Sequence, residues 1–327
     1  AAPWKAPSLE EALTLARSAG AEAVDAIPLL APVLAYQRGD TNQRYPLSVM
    51  RELNESLDEL VRRMTPGDCI RIGQRLRAPR LAEEGDARQG WVLLAVERLP
   101  DIVSGTPHDF ARLAVLSSHR NGRIRERALL VLDEEHGDDA LPFLLARCVD
   151  WVAKVREVAW ASVRRRLVPA SASHFVASLP LVLRLRDFRR VRCAPLVIEV
   201  LDFLSNQPDA LKSGLEHSLP SVRHASWDAM DERDMLSATH ALRAVRDSAL
   251  ARKAGRYLSA HAADASPPLR QRVVDALADS PAPELRLSSL LLAERSGLPD
   301  TTERLRRATL DPARSVRQYA RYHLREA

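Results

Sequence analysis

An arginine that follows an apolar or small residue recurs at nearly constant spacing through the last two thirds of the chain. The steps between successive copies are 31, 36, 31, 29, 34 and 31 residues. The copies are Ile124-Arg125, Val155-Arg156, Val191-Arg192, Val222-Arg223, Ala251-Arg252, Leu285-Arg286 and Val316-Arg317, with a fainter one at Ala87-Arg88. A repeat of this length is typical of a pair of helices that buries its apolar face only by stacking on neighbouring pairs. The period therefore predicts a stack of helical pairs.

The last copy, residues 310–324, shows how one helix of the repeat is specified. Asp311 offers a side-chain cap, and Pro312 suits the first helical position because the N–H that it lacks is not needed there. Val316 and Ala320 then recur at helical spacing. We predict a short amphipathic helix at this point and similar helices at the other copies.

The pattern Asp-Pro-x-x-x-Val-Arg-x-x-Ala at residues 311–320 resembles the second helix of a HEAT repeat, and weaker versions cover residues 85–327. The resemblance implies a superhelix in which first helices line the convex side and second helices line the concave side. It also implies a hydrogen-bonded ladder between neighbouring repeats, formed by an aspartate near the inter-helix turn and the arginine of the second helix. The ladder arginines would be Arg125, Arg156, Arg192, Arg223, Arg252, Arg286 and Arg317.

Candidate ladder aspartates precede their arginines by five or six residues in four of the copies. These pairs are Asp150 with Arg156, Asp187 with Arg192, Asp247 with Arg252 and Asp311 with Arg317. The copies of Arg223 and Arg286 carry Ser218 and Ser280 where the acid should be. We therefore expect the ladder to be interrupted at those two copies.

Composition favours helices throughout the chain. Of 327 residues, 46% are hydrophobic but only 5% are aromatic, and 12 glycines are few for a β-rich or loop-rich protein. We predict an all-α fold, an α-solenoid of about seven HEAT-like helical pairs. Because the first third fits the period badly, we assign residues 1–84 to an irregular helical N-terminal cap. Residues 85–327 form the repeat array, continuous with the cap as one elongated unit.

Apolar periodicity and turn residues predict individual helices within this plan. Examples are helices over residues 27–36, 46–64 and 171–184. One boundary stays open, because a second helix over residues 188–204 overlaps a first helix over residues 195–205.

Positive charge is concentrated in the segment 151–200, which holds ten basic and three acidic side chains, whereas the whole chain has a formal net charge of +5. The candidate binding residues are Lys154, Arg164, Arg165, Arg166, Arg184, Arg186, Arg189 and Arg190. One interpretation is an anion-binding groove that follows a nucleic-acid backbone, since guanidinium groups pair with phosphates. The favoured interpretation is a solvated helix face, with Arg164 to Arg166 complementing the negative end of a helix.

Three tryptophans form the other unusual group: Trp151, Trp160 and Trp227. Some HEAT-like proteins are DNA glycosylases for alkylated purines, and that chemistry needs an aromatic platform and a carboxylate facing one cavity. Asp150 and Asp228 would be the candidate carboxylates. The sequence carries no other motif of that family, so we expect these rings to pack in the core.

The three cysteines, Cys69, Cys148 and Cys193, are widely spaced and have no partner at metal-ligand spacing. We interpret them as buried thiols that pack like small hydrophobic side chains, in a protein of a reducing compartment. The longest apolar run, residues 26–35, contains two prolines and is far shorter than the roughly 20 residues that a membrane span needs. We predict a cytoplasmic protein with no membrane segment.

Catalytic templates are missing from the sequence. It contains neither a phosphate-binding glycine loop nor the zinc-protease and serine-hydrolase signatures. We therefore assign no catalytic residue, metal or cofactor and expect a binding scaffold whose concave surface engages a protein partner. The alternative is a nucleic-acid-binding HEAT-like protein that uses the basic segment, a relative of the alkyl-purine DNA glycosylases.

Overall fold

The structure is a computed structural model that describes residues 9–18, 21–31, 47–77, 94, 96–99, 109–188, 191–262 and 265–326. Within these ranges every regular element is a helix and no strand occurs, so the all-α prediction is confirmed. None of the helices in these ranges has both the length and the apolar character to cross a membrane. The fainter copy at Arg88 and the cap boundary after residue 84 lie outside the described residues.

Contacts along the chain divide it into two compact units, residues 1–210 and 211–327. The helices of the first unit are α1 (Leu9–Ala16), α2 (Ile27–Leu30), α3 (Leu47–Arg63), α4 (Pro66–Arg77), α5 (Asp109–Leu116), α6 (Gly122–Glu135), α7 (Leu141–Arg147), α8 (Ala153–Arg165), α9 (Ala172–Ala177), α10 (Leu179–Arg184) and α11 (Ala194–Ser205). Short 3-10 turns precede or follow several of them, as at Gly137–Ala140 before α7.

The helix α12 (Pro208–Gly214) spans the division between the two units. The second unit continues with α13 (Pro220–Glu232), α14 (Ala238–Ala244), α15 (Ala251–His261), α16 (Pro267–Ala278), α17 (Pro283–Arg295), α18 (Thr301–Ala308) and α19 (Arg314–Glu326).

Local signals in the sequence set several helix starts. Asn121 caps α6, its side chain accepting the backbone N–H of Arg123 at 3.0 Å. Ser237 and His240 form a reciprocal capping box at the start of α14. Proline occupies one of the first two positions of α13, α16 and α17, where its missing N–H costs no hydrogen bond.

Three predicted helices differ in the structure. The helix predicted over residues 171–184 is two helices, α9 and α10, separated at Ser178. The overlap around residue 195 resolves into α11 alone, which begins next to Pro195 because proline is tolerated in a first turn but not inside a helix. In the helix predicted over residues 27–36, α2 ends at Leu30, and the residues after 31 lie outside the described part.

In the first unit, helices that are adjacent in sequence pack as pairs. α5 packs against α6, α7 packs against α8, and α6 also packs against α8 of the following pair. α3 lies against α5, whereas α4 lies against α7 and α10. The helix α4 of the N-terminal region thus packs beside helices from two later pairs.

The second unit repeats this arrangement. α14 packs against α15, α16 against α17 and α18 against α19, while α17 contacts both α15 and α19. One apolar cluster is built around Trp227, Leu258 and Leu277. Another joins Leu290 and Val316 near the end of the unit.

Candidate functional site

Five of the seven predicted ladder arginines occupy the fourth position of a helix. They are Arg125 in α6, Arg156 in α8, Arg223 in α13, Arg286 in α17 and Arg317 in α19. In each case Nη1 donates a hydrogen bond of 2.7–2.9 Å to the backbone carbonyl six residues earlier. The arginine thus ties the start of its helix to the turn before it.

Three of these arginines also bind an aspartate 24 or 25 residues further along the chain. Arg125 donates from Nε and Nη2 to the two carboxylate oxygens of Asp150, at 2.9 and 2.7 Å. Arg286 makes the same pair of bonds to Asp311 at 2.7 and 2.8 Å. Nε of Arg223 lies 2.7 Å from Asp247 Oδ2. We call these three ion pairs the rungs.

Each rung aspartate is fixed by the turn in which it stands. Oδ1 of the aspartate accepts the backbone N–H two residues later, at 3.0 Å for Asp150, 2.8 Å for Asp247 and 2.7 Å for Asp311. Hydrogen bonds from Arg286 hold the pKa of Asp311 below its usual value. A rung therefore joins one helix to the turn that precedes another helix about one repeat later.

Two predicted ladder arginines do not share this geometry, which corrects their assignment. Arg192 is exposed and precedes α11, whose start is set by Pro195. Arg252 is the second residue of α15 and pairs on the surface with Glu284 at 2.7 Å. At the fourth position of α15 stands buried Ala254, which has no charge to bind a carboxylate.

The expected interruption at the two serine positions is not seen at Arg223 and Arg286. Nη1 of Arg223 binds the carbonyls of His217 and Ser218, and Nη1 of Arg286 binds the carbonyl of Ser280 at 2.9 Å. A serine changes nothing in this bond because the acceptor belongs to the backbone. The aspartate of a turn instead binds the arginine of an earlier helix.

Asp150 differs from the other rung aspartates because two further arginines approach it. Nη1 of Arg77, at the end of α4, and Nη1 of Arg147, at the end of α7, each lie 3.7 Å from Asp150 Oδ2. The side chains of Arg125 and Asp150 are completely buried, that of Arg147 is 2% exposed and that of Arg77 is 27% exposed. We call Arg77, Arg125, Arg147 and Asp150 the arginine cluster.

Electrostatics in the arginine cluster are unusual. Burial, assisted by the charge of Arg77, lowers the pKa of Arg147 to about 9. Burial also lowers the pKa of Arg77. Cys69 of α4 is nearby, but burial raises the pKa of its thiol to about 12, so it supplies no negative charge at neutral pH. Sequence analysis missed Arg77 and Arg147, since neither belongs to the repeated pattern.

The basic segment is partly neutralised. Arg164 makes two hydrogen bonds to Glu199, at 2.7 and 2.8 Å. Arg165 and buried Arg166 both pair with Asp133 of α6. Burial opposes ionisation of Asp133, but hydrogen bonds led by that of Arg166 hold its pKa below the usual value. These three predicted binding residues therefore have structural partners.

The other members of the basic segment are spread along the first unit. Lys154 is exposed, with Nζ 3.9 Å from a carboxylate oxygen of Glu157. Arg184 and Arg186 are exposed at the end of α10. Arg189 and Arg190 lie outside the described residues.

The three tryptophans have different surroundings. Trp227 is buried and meets Tyr257 edge to face, with the ring centroids 6.1 Å apart. Trp160 is half-buried, and its Nε1 donates to the carbonyl of Cys148 at 3.0 Å while Arg164 lies over the ring. Trp151 is 70% exposed, and the guanidinium of Arg125 lies 5.8 Å from its ring centroid. Two of the three rings therefore have packing roles.

The carboxylates named for the glycosylase alternative are both held by cations. Asp150 is buried against Arg125, and Asp228 is paired with Lys253. A carboxylate in either setting is poorly placed to stabilise a positive charge on a sugar, because its own charge is already neutralised.

Thiol and metal chemistry find no support in the described part of the chain. Its three cysteines are buried free thiols, and burial raises the pKa of each. Among the residues described, no group of three or more histidine, cysteine or acidic side chains is placed to hold a metal ion.

Comparison with protein-family models produced no match, and comparison with curated proteins produced none either. Function must therefore be argued from the rungs, the arginine cluster and the exposed side chains around them.

Proposed function

We propose that the chain is a HEAT-like α-solenoid of about seven helical pairs with an irregular N-terminal cap, and that it acts as a non-catalytic binding scaffold. Support comes from the rungs, in which Arg125, Arg223 and Arg286 each pair with an aspartate 24 or 25 residues further along the chain. It also comes from the packing of α6 on α8 and of α15, α17 and α19 in succession. Stacked pairs give extended surfaces for a partner without an intrinsic reactive centre.

The observation that carries the function is the exposure of Trp151. Covering so large an apolar ring with a partner gives a large favourable free energy of burial. Tryptophan is also enriched among the residues that dominate protein interfaces. The ring stands just before α8, next to the buried rung of Arg125 and Asp150, so its base is rigid. We place the partner, a protein, on the face that carries Trp151.

Nucleic acid is the weaker alternative. Arg164, Arg165 and Arg166 would have to give up Glu199 and Asp133 before they could bind phosphates. We further propose a cytoplasmic location, in keeping with three buried free thiols.

Site-specific photo-crosslinking tests the proposal. A benzophenone amino acid placed at Trp151 in the native host, followed by nuclease treatment, should give a crosslinked protein adduct. The matched control is the same amino acid at Val168, which is 44% exposed and follows the other end of α8. Adducts of equal yield at both positions, or an adduct that nuclease removes, would contradict the proposal.

Substitution of Trp151 then measures its contribution. We expect Trp151→Ala to weaken binding of the crosslinked protein by at least about 2 kcal/mol, the usual threshold for a dominant interface residue. Ile198→Ala, at an exposed site of α11, should leave binding unchanged. Retention of full affinity by Trp151→Ala would remove the observation on which the proposal rests.

A further inference from the structure

The arginine cluster has an imbalance of charge that no other rung shows. Three guanidinium groups converge on the single carboxylate of Asp150, whereas Arg286 and Asp311 form a simple pair. Cys69 cannot compensate, because its thiol is protonated at neutral pH. Buried positive charge of this kind is costly unless an anion balances it.

Hydrogen bonding in the cluster is incomplete as well. Asp150 accepts three hydrogen bonds, two from Arg125 and one from the N–H of Val152, and none of them comes from Arg147. Neither Nε nor Nη1 of Arg147 has a hydrogen-bond partner among the described residues, although the side chain is 98% covered. Buried N–H groups of a guanidinium require acceptors, and a charged one gains most from an oxyanion.

The ends of two helices offset part of the charge but not the missing bonds. α4 ends at Arg77 and α7 ends at Arg147, and each helix end carries a partial negative charge of about half a unit. Two such ends roughly balance one guanidinium, which still leaves excess positive charge. The two unpartnered nitrogens of Arg147, Nε and Nη1, are unaffected by this compensation.

Geometry limits the size of the missing anion. Nη1 of Arg77 and Nη1 of Arg147 each lie 3.7 Å from the same oxygen of Asp150, so they are separated by no more than twice that distance, a gap that one small oxyanion can bridge. The backbone of α4 approaches closely, since a Cβ added at Gly73 would lie 2.8 Å from Arg147 Nη2 and 2.9 Å from Ser118 Oγ. Arg77 is the least buried of the three arginines and provides the access from solvent.

We propose that Arg77 and Arg147 bind a small tetrahedral oxyanion, inorganic phosphate or sulfate, beside Asp150. Its oxygens accept hydrogen bonds from Nε and Nη1 of Arg147 and from Arg77, and the cluster becomes close to neutral. The near-complete burial of Arg147 selects a free ion over a phosphate group within a polymer. The anion holds α4 against α7, and this role is independent of any protein bound at Trp151.

Thermal unfolding of the full chain tests the site, with inorganic phosphate compared with chloride at equal ionic strength. The wild-type midpoint should rise steadily with phosphate concentration, as expected for a ligand bound only by the folded state. Arg147→Met should abolish the rise. The matched control, Arg165→Met, removes a paired surface arginine of the same unit and should retain it.

Calorimetric titration with phosphate separates the outcomes. Arg77→Met, at the accessible edge, should weaken phosphate binding about tenfold to a hundredfold, the factor expected for a lost charge-assisted hydrogen bond. Arg77→Met also keeps the proposal testable if Arg147→Met does not fold. The proposal fails if wild-type protein does not respond to phosphate, or if Arg147→Met and Arg77→Met respond as the wild type does. A response only to phosphorylated polymers would also overturn it.

Discussion

The rung in the first unit and the last rung in the second unit use the same hydrogen bonds in different surroundings. Arg125 and Asp150 are completely buried, whereas Arg286 and Asp311 are 16% and 10% exposed. Both aspartates accept two bonds from the arginine and one from a backbone N–H. The two rungs therefore share one hydrogen-bond geometry. The stability lost when a rung is broken depends on how deeply it is buried.

Helix α4 accounts for much of that difference. In the first unit it brings Arg77 to the edge of Asp150 and covers Arg147, beside a rung whose two side chains are completely buried. In the second unit Asp311 keeps contact with solvent and has Arg286 as its partner. A buried ion pair contributes little net stability, but removing one partner costs much stability. A partly exposed pair contributes little, and removing one partner costs little.

The largest expected effect follows from removing the buried carboxylate. Asp150→Asn should lower the free energy of unfolding by about 3–5 kcal/mol, because it leaves three guanidinium groups without their carboxylate in a dry site. Asp311→Asn is the matched change and should cost about 1 kcal/mol or less. Urea denaturation of the two variants gives both values, and equal losses would show that burial does not distinguish the rungs.

A second test removes Arg147, the buried cation whose Nε and Nη1 have no hydrogen-bond partner in the described part of the chain. In phosphate-free buffer Arg147→Met should raise the free energy of unfolding by about 1–4 kcal/mol at pH 7, as replacing buried charges with apolar groups often does. Burial lowers the pKa of Arg147 to about 9 in the folded chain, well below its ordinary value, so above pH 9 the unfolded chain binds more protons than the folded chain does. Wild-type stability should then rise relative to the variant above pH 9.

The advantage of the methionine variant should accordingly be largest below pH 9 and shrink as the pH rises. Chemical denaturation at pH 7, 9 and 10.5 measures it. An advantage that does not change with pH would mean that Arg147 stays protonated in both states, and a loss of stability at pH 7 would mean that its charge is balanced by the chain itself.

Spacing in the sequence selected Arg125, Arg223 and Arg286, and in the structure each of them stands at the fourth position of its helix. The all-α class followed from composition and periodicity, since few glycines and aromatics leave little besides helices. Prediction was wrong about Arg192 and Arg252, where the apolar-Arg dipeptide occurs but the helix begins at a different residue.

The arginine cluster could not have been predicted in this way. Arg77 and Arg147 are 70 residues apart and neither recurs, so only tertiary packing of α4 on α7 brings them to Asp150. The pairing of Arg165 and Arg166 with Asp133 was equally hidden, because the acid stands outside the basic segment that drew attention. The composition of the segment 151–200 therefore overstated how many of its basic side chains lack an acidic partner.

Two glycines extend the comparison from charge to packing. A Cβ added at Gly255 would overlap the side chain of Leu285 in the apolar core of the second unit, whereas one at Gly73 would meet the tip of Arg147. Gly255→Ala should cost about 1–3 kcal/mol, the usual range for overpacking, because a buried leucine must move. Gly73→Ala should cost less, since a guanidinium tip shifts more easily.

Thermal or urea unfolding of Gly255→Ala and Gly73→Ala measures which substitution costs more stability. Gly67→Ala is the control, as its nearest neighbour would be 3.8 Å away, and it should remain within about 0.5 kcal/mol of the wild type. If Gly73→Ala proved the more damaging, the position of Arg147 would be more tightly constrained than its flexible side chain implies.

The smallest expected effect is the acid sensitivity of the second unit. Hydrogen bonds from Arg286 lower the pKa of Asp311 below its usual value of 3.8, so the folded state favours the charged carboxylate. This contribution is complete above the unfolded pKa and is lost as the pH falls through the folded one. The stability gap between wild type and Asp311→Asn, about 1 kcal/mol or less at pH 7, should therefore close as the pH falls below 4. Urea denaturation at pH 7, 4 and 3 measures the gap. A gap that persists at pH 3 would mean that Asp311 acts through its packing in the turn, and the two rungs would then differ in mechanism as well as in magnitude.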